Sequence, residues 1–230
     1  MSIKLEKVVP WGRSLAEYIR MFNLTADELQ RSLLDCAAGP ASFNAEMTQQ
    51  GYQVISCDPI YQFTANEIAQ QIQETYPLVI SSTEANQENF VWQEMHSPEH
   101  LGQVRMKAMH QFLEDFPAGL QAGRYLTAEL PVLPFGSRQF DLALCSHFLF
   151  TYSDQLSFDF HLEAIAEMSR VAAEVRIFPL LVMAGEVSPF LQPALSELNQ
   201  QGYQSEITTV PYEFQRGGNR MLRVWLESDR

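Results

Sequence analysis

One short unit near the start of the chain restricts its fold more than any other feature. An apolar run enters a turn of small residues, Asp35-Cys36-Ala37-Ala38-Gly39-Pro40-Ala41-Ser42, and a helical segment leads on to a second apolar run that ends at Asp58. The periodicity predicts a strand over 32–37, a helix over 42–50 closed by Gly51, and a strand over 53–58. In an open parallel sheet, ligands bind beyond the carboxyl ends of the strands, where strand order reverses, so the turns after these two strands matter most. Small side chains let the backbone approach a ligand closely, and Gly39 supplies the freedom for a sharp turn. A carboxylate about 20 residues past such a turn can accept hydrogen bonds from both hydroxyls of a ribose.

The remainder extends the alternation. After Asp58 the pattern becomes helical and polar, with helices expected over 64–74, near 88–94 and over 98–116. That stretch, about 62–123, is too long for a plain crossover. Strands resume over 124–128 and 140–146, the latter reading Phe-Asp-Leu-Ala-Leu-Cys-Ser, as expected for a strand covered on both faces. A helix over 155–173, a strand over 174–180 and a helix over 189–201 follow. Two last strands, 203–210 and 221–227, flank Gln-Arg-Gly-Gly-Asn and should pair as an antiparallel hairpin. The expected fold is α/β, a three-layer sandwich around a seven-stranded, mostly parallel sheet that ends in that hairpin. Residues 1–230 are read as a single domain with a helical cap inserted at about 62–123.

Charge and length narrow the function. With 230 residues and 46% hydrophobic content the chain can bury one good core. A formal net charge of -13 repels a phosphate backbone, which Lys and Arg would have to neutralise, so no nucleic-acid partner is expected. Met1 to Arg13 lacks an uninterrupted apolar segment, and no apolar run approaches the roughly 18 residues of a membrane span. Cys36, Cys57 and Cys145 are odd in number and widely spaced, which argues against a disulfide framework or a zinc site. A cytoplasmic protein with no membrane partner and no metal is expected; nothing in the sequence sets an oligomeric state.

At these residues the chain resembles the class I S-adenosylmethionine-dependent methyltransferases, whose first motif is an acid followed by a glycine-rich turn. Asp35 and Gly39 match it, whereas Ala37 and Ala41 stand where that family usually has glycines. Glu129-Leu130-Pro131-Val132-Leu133-Pro134-Phe135, followed by Phe140-Asp141-Leu142-Ala143-Leu144, is similar to the family's acid, Leu-Pro-Phe turn and fourth strand. The opening Val9-Pro10-Trp11-Gly12-Arg13-Ser14, with Tyr18 and Phe22, resembles a bacterial subgroup with no assigned substrate.

The resemblance implies a methyl transfer with S-adenosylmethionine as cofactor. Asp35, Ala37, Ala38, Gly39 and Pro40 of the first turn, and Asp58, Pro59 and Ile60 of the second, would hold the nucleoside. Glu129 and Leu130 would border the adenine, while Cys145, Ser146 and His147 would floor the site beside the methyl donor. Arg13 could pair bidentately with the methionine carboxylate, a geometry that a guanidinium provides and an ammonium does not.

Methyl transfer from a sulfonium is an in-line displacement, accelerated mainly by positioning. If the acceptor carries a proton, His147 is the first candidate to take it, since imidazole titrates near neutrality; Tyr152 and His110 are further candidates. Tyr152, His110 and Trp92 are the expected contacts to a small-molecule acceptor. Each has a plainer reading. His147 could be a core histidine satisfied by a carbonyl, Arg13 a solvated helix residue, and the cysteines small buried hydrophobes. The stripe Phe90, Trp92, Met95, Met106, Met109, His110, Phe112 and Phe116 could be core rather than a lid. His96 and His100 lie one turn apart, but Pro98 interrupts them and no third ligand suggests itself. Asp35 and Asp58 differ, because a carboxylate buried after an apolar strand is costly without a partner.

Two other functions compete. A nicotinamide-dependent (NAD) oxidoreductase would share the acid after the second strand but prefers Gly-x-Gly-x-x-Gly, and here Pro40 cannot donate a hydrogen bond to a pyrophosphate. A non-catalytic protein that merely binds the cofactor on the same scaffold is the second.

Overall fold

In the computed structural model, which describes residues 8–226, the strand predicted over 140–146 is β4 (Phe140–Ser146) and lies at the centre of one sheet. Its alternation explains the layers on either side. Leu142 and Leu144 face a cluster built with α1 (Leu15–Met21) and α2 (Phe43–Gln49). Ala143 and Cys145 face one built with α5 (Phe158–Val171) and α6 (Leu191–Gln200). Asp141, the polar break in the run, sits at the exposed end and accepts from the Ser32 amide and hydroxyl at 2.9 and 2.7 Å.

β1 (Leu33–Cys36) lies between β4 and β2 (Val54–Cys57), and β3 (Tyr125–Leu126) pairs outside β2. On the other side come β5 (Ala172–Phe178), then β7 (Arg220–Leu226) and at the edge β6 (Tyr203–Thr209). β1 to β5 are parallel; β7 runs antiparallel to both β5 and β6. The order β3-β2-β1-β4-β5-β7-β6 with a reversed β7 is the class I methyltransferase fold. Strand order reverses beside β1, which puts the turns after β1, β2 and β4 around one crevice. Met1 to Lys7, and Glu227 of the last predicted strand, lie outside the described residues.

The insertion departs from its sequence pattern in three places. α3 (Ala65–Glu84) runs on past residue 74 and through Pro77, and α4 (Pro98–Gln121) continues through Pro117. Packing between the two offsets the lost hydrogen bonds: a Cβ on Gly102 of α4 would lie 2.2 Å from the Tyr76 hydroxyl of α3, so the helices touch where a glycine permits it. The helix expected near 88–94 shrinks to one 3-10 turn, Gln87–Asn89. Phe90 instead stacks on Phe214 (centroids 4.8 Å apart), and the Val91 amide donates to the Phe214 carbonyl at 2.7 Å. Beyond that turn the backbone pairs with the β6–β7 connection, whose Arg216 amide in turn donates to the Asn89 carbonyl at 2.9 Å.

Candidate functional site

The crevice is a cavity of about 570 Å³, within the range that holds small ligands and cofactors. Its first wall is the turn after β1. Ala37 and Gly39 both take left-handed backbone angles, φ +52° and +55°, so the glycine usual at the position of Ala37 avoids a strain that alanine here accepts. The Gly39 amide donates to Asp58 Oδ2 at 2.9 Å and its carbonyl accepts from the Tyr61 hydroxyl at 2.8 Å. The second Asp58 oxygen accepts from the Ile60 amide at 2.8 Å. One carboxylate thereby ties the turn after β1 to the turn after β2.

Burial pushes the Asp58 carboxyl up to about 6, against the two amide bonds, with the Glu129 charge adding to the rise. A carboxylate has about four acceptor positions. Two serve the fold, and the residue also lines the cavity, so it retains capacity for the paired hydroxyls of a sugar.

A second wall comes from the N-terminal segment, which crosses the crevice beside the first turn. A Cβ on Gly12 would lie 2.0 Å from the Pro40 carbonyl oxygen, and the Ser42 amide donates to the Arg13 carbonyl at 3.0 Å. A capping box between Ser14 and Glu17 then starts α1. Arg13 is half-buried and lines the cavity. Its Nη1 donates to the Trp11 carbonyl at 3.0 Å, while its Nε is buried without a partner. Burial, with the Arg105 charge adding, lowers its pKa. A guanidinium in that position calls for an anion.

Behind Arg13 lies a cluster that sequence reasoning missed. Arg105 of α4 donates through Nη1 to both Glu17 oxygens at 2.6 and 2.7 Å, and the Tyr212 hydroxyl donates to Glu17 Oε1 at 3.0 Å. Arg105 is 1% and Glu17 3% exposed. Burial works to raise the Glu17 carboxyl, but the charge and hydrogen bonds of Arg105 outweigh it and hold the group at about 2. The pair joins α1, the insertion and the β6–β7 connection behind the site.

The expected residues divide as follows. Ala37, Ala38, Gly39, Asp58, Pro59 and Ile60 line the cavity, as do Glu129, Leu130 and Ser146. His147 and Tyr152 do so too. His147 Nδ1 is 3.0 Å from Ser146 Oγ and its amide donates to the Phe178 carbonyl at 2.6 Å. Burial, then the charges of Arg13 and Arg105, push its pKa well below the usual imidazole value, so the ring is neutral. The Tyr152 hydroxyl accepts from the Val9 amide at 3.2 Å.

Five expected residues do not line it. Asp35 is wholly buried, both oxygens 3.2 Å from the Tyr18 hydroxyl, so it holds Tyr18, which is itself a wall residue. Pro40 meets Gly12 instead. Cys145 is buried in a row with Cys36 and Cys57 on adjacent strands beneath the site. Trp92 packs edge-on to Phe90 and Phe214, its indole donating to the Gln87 carbonyl at 2.9 Å. His110 belongs to a separate shallow cleft on α4 with Lys107 and Glu114. Among the described residues no group of side chains could hold a metal ion, and no helix is long and apolar enough to cross a membrane.

The chain is 34% identical over 223 residues, 96% of its length and 98% of the relative's, to the uncharacterized protein MJ0045 of Methanocaldococcus jannaschii. The two belong to one family. This relative is archaeal, not a member of the bacterial subgroup expected from the opening segment. No family model matches the chain. Among solved structures it is similar to a TehB-like SAM-dependent methyltransferase of Corynebacterium glutamicum, at 16% identity over 86% of this chain and 80% of that one, TM-score 0.45. It is also similar to a SAM-dependent methyltransferase of Aquifex aeolicus, at 14% identity over 91% and 87%, TM-score 0.43. At that distance the strand order, not the superposition, defines the fold.

Proposed function

We propose that this protein is an S-adenosylmethionine-dependent methyltransferase acting on a small molecule. The observation that carries the reading is Asp58, a carboxylate at the end of β2 that lines the cavity, is fixed by the Gly39 and Ile60 amides, and has acceptor capacity left. The residues present fit the cofactor. Asp58 receives the ribose hydroxyls, Leu130 and Ile60 flank the base, and Arg13, which has no carboxylate hydrogen-bonded to it among the described residues, takes the methionine carboxylate. Bound there, the cofactor supplies an electrophilic methyl group. The chain contributes orientation and the exclusion of water, with His147 placed after β4 to receive a proton.

Phe63, Val79, Thr83 and Leu101 of the insertion line the cavity, which supports 62–123 as a cap on a single domain. Slower hydrogen exchange across this segment on adding S-adenosylhomocysteine is expected; unchanged exchange speaks against a cap. The acidic chain disfavours nucleic acid as the acceptor, and three free cysteines fit a cytoplasmic setting.

An oxidoreductase reading fares worse, because Pro40 lacks the amide that a pyrophosphate would use. Calorimetric titration separates the readings: saturable S-adenosylmethionine binding without NAD binding is expected. The reverse result would install the oxidoreductase, and labelled methyl that never leaves the bound cofactor for any metabolite would leave only a binding protein.

A further inference from the structure

The cavity is divided by charge. Among the described residues its two lining carboxylates, Asp58 and Glu129, both stand at the end formed by the turns after β2 and β3. The other end is walled by the segments after β4 and β5 and by the β6–β7 connection, through Phe148, Thr151, Phe160, Met183, Phe214 and Gln215. Among the described residues no carboxylate lines that end. Glu17 is locked to Arg105 and Tyr212, Asp35 lies behind Tyr18, and Asp154, Asp159, Glu186 and Glu213 are exposed outside the cavity.

The only cation lining the cavity among the described residues is Arg13, which the cofactor carboxylate neutralises. A charged acceptor of either sign would therefore lose its hydration without meeting a counterion. The rings offer a different fit. Phe148 lies edge-on to Phe160, centroids 6.1 Å apart, and tilted to Tyr152 at 6.3 Å; such edges and faces suit another flat ring. The Thr151 hydroxyl has no hydrogen-bond partner.

We propose that the methyl acceptor is a compact, uncharged aromatic alcohol, seated against Phe148 and Phe160 and methylated on oxygen. This rests on the reading that Asp58 and Arg13 hold the cofactor. In the step, a lone pair of the acceptor oxygen forms the O–C bond while the C–S bond breaks and leaves its pair on sulfur. The hydroxyl proton, strongly acidic once oxygen carries the methyl, passes to His147 through Nε2, since Nδ1 faces Ser146. Even a weakly basic imidazole suffices for so acidic a proton.

The test uses the whole protein saturated with S-adenosylhomocysteine, whose own titration reports on the cofactor reading separately. Three single-ring probes of similar size are then titrated at neutral pH: p-cresol, benzylamine and benzoate, which are neutral, cationic and anionic. p-Cresol is expected to bind saturably and about tenfold tighter than either charged ring. In Phe160→Ala its affinity should fall about tenfold while that of S-adenosylhomocysteine is retained. A charged ring that matches p-cresol, no saturable p-cresol binding, or p-cresol binding indifferent to Phe160→Ala would each overturn the proposal.

Discussion

Asp58 Oδ2 accepts the Gly39 amide at 2.9 Å, so the acid closing the second strand also shapes the turn closing the first. In Asp58→Asn the side-chain amide presents one acceptor oxygen where two are used, and the charge that strengthens sugar hydrogen bonds is gone. With about 1.5–3 kcal/mol for hydrogen bonds to a charged group, affinity for S-adenosylhomocysteine should fall roughly 10- to 100-fold, as read by calorimetry. An affinity unchanged in a folded variant would remove Asp58 from the site.

The pH dependence follows from the same group. Its folded pKa, about 6, lies above the ordinary aspartate value, so its stabilising contribution to the free protein is present in acid and is lost as pH rises through about 6. Binding has the opposite sign, because ribose hydroxyls donate to the ionised form. Affinity should be full above neutrality and fall by up to about tenfold per pH unit below about 6. Titrations near pH 6 in buffers of different ionisation heat should show proton release on binding.

Arg105 and Glu17 form the costliest pair to break. Both are buried, and removing one partner strands the other charge, so Arg105→Ala should lose about 3–5 kcal/mol in urea unfolding. The double variant Glu17→Leu with Arg105→Met should recover part of that. Glu17 is held at about 2, below its ordinary value, so its contribution is present above the usual carboxylate range and is lost as pH falls towards 2. A loss under 1 kcal/mol in Arg105→Ala would contradict the role given to the pair.

Ala37 sits at φ +52°, where a side chain costs about 1–2 kcal/mol, while glycine costs about 0.4–1 kcal/mol in the unfolded chain. Ala37→Gly should therefore stabilise by roughly 0.5 kcal/mol, visible as a small rise in Tm without loss of ligand binding. Destabilisation would mean that the alanine methyl packs more favourably than its backbone angle suggests.

The contrast between the two halves of the site shows what a sequence exposes. β1, β2 and β4 were legible because strands covered on both faces are mostly apolar, and the acid within β1 and the one just after β2 stand out against them. The segment 88–94 reads as a helix, but residues 89–91 pair with the β6–β7 connection, more than a hundred residues away; local periodicity carries no trace of that pairing. Asp35 reads as a cofactor ligand because a buried carboxylate needs a partner, yet the sequence could not show that the Tyr18 hydroxyl is there to serve as one. One signal went unused. The stretch from Val210 to Asn219 is long for a hairpin connection, and long loops are where function concentrates; it supplies Tyr212, Phe214 and Gln215 to the cavity.

A crystal structure of the S-adenosylhomocysteine complex tests the central claim most directly. The account predicts both ribose hydroxyls on the Asp58 carboxylate and the amino-acid carboxylate on the Arg13 guanidinium, with the Gly39 turn unchanged. Density for the ligand elsewhere, with Asp58 bonded only to the Gly39 and Ile60 amides, would contradict it.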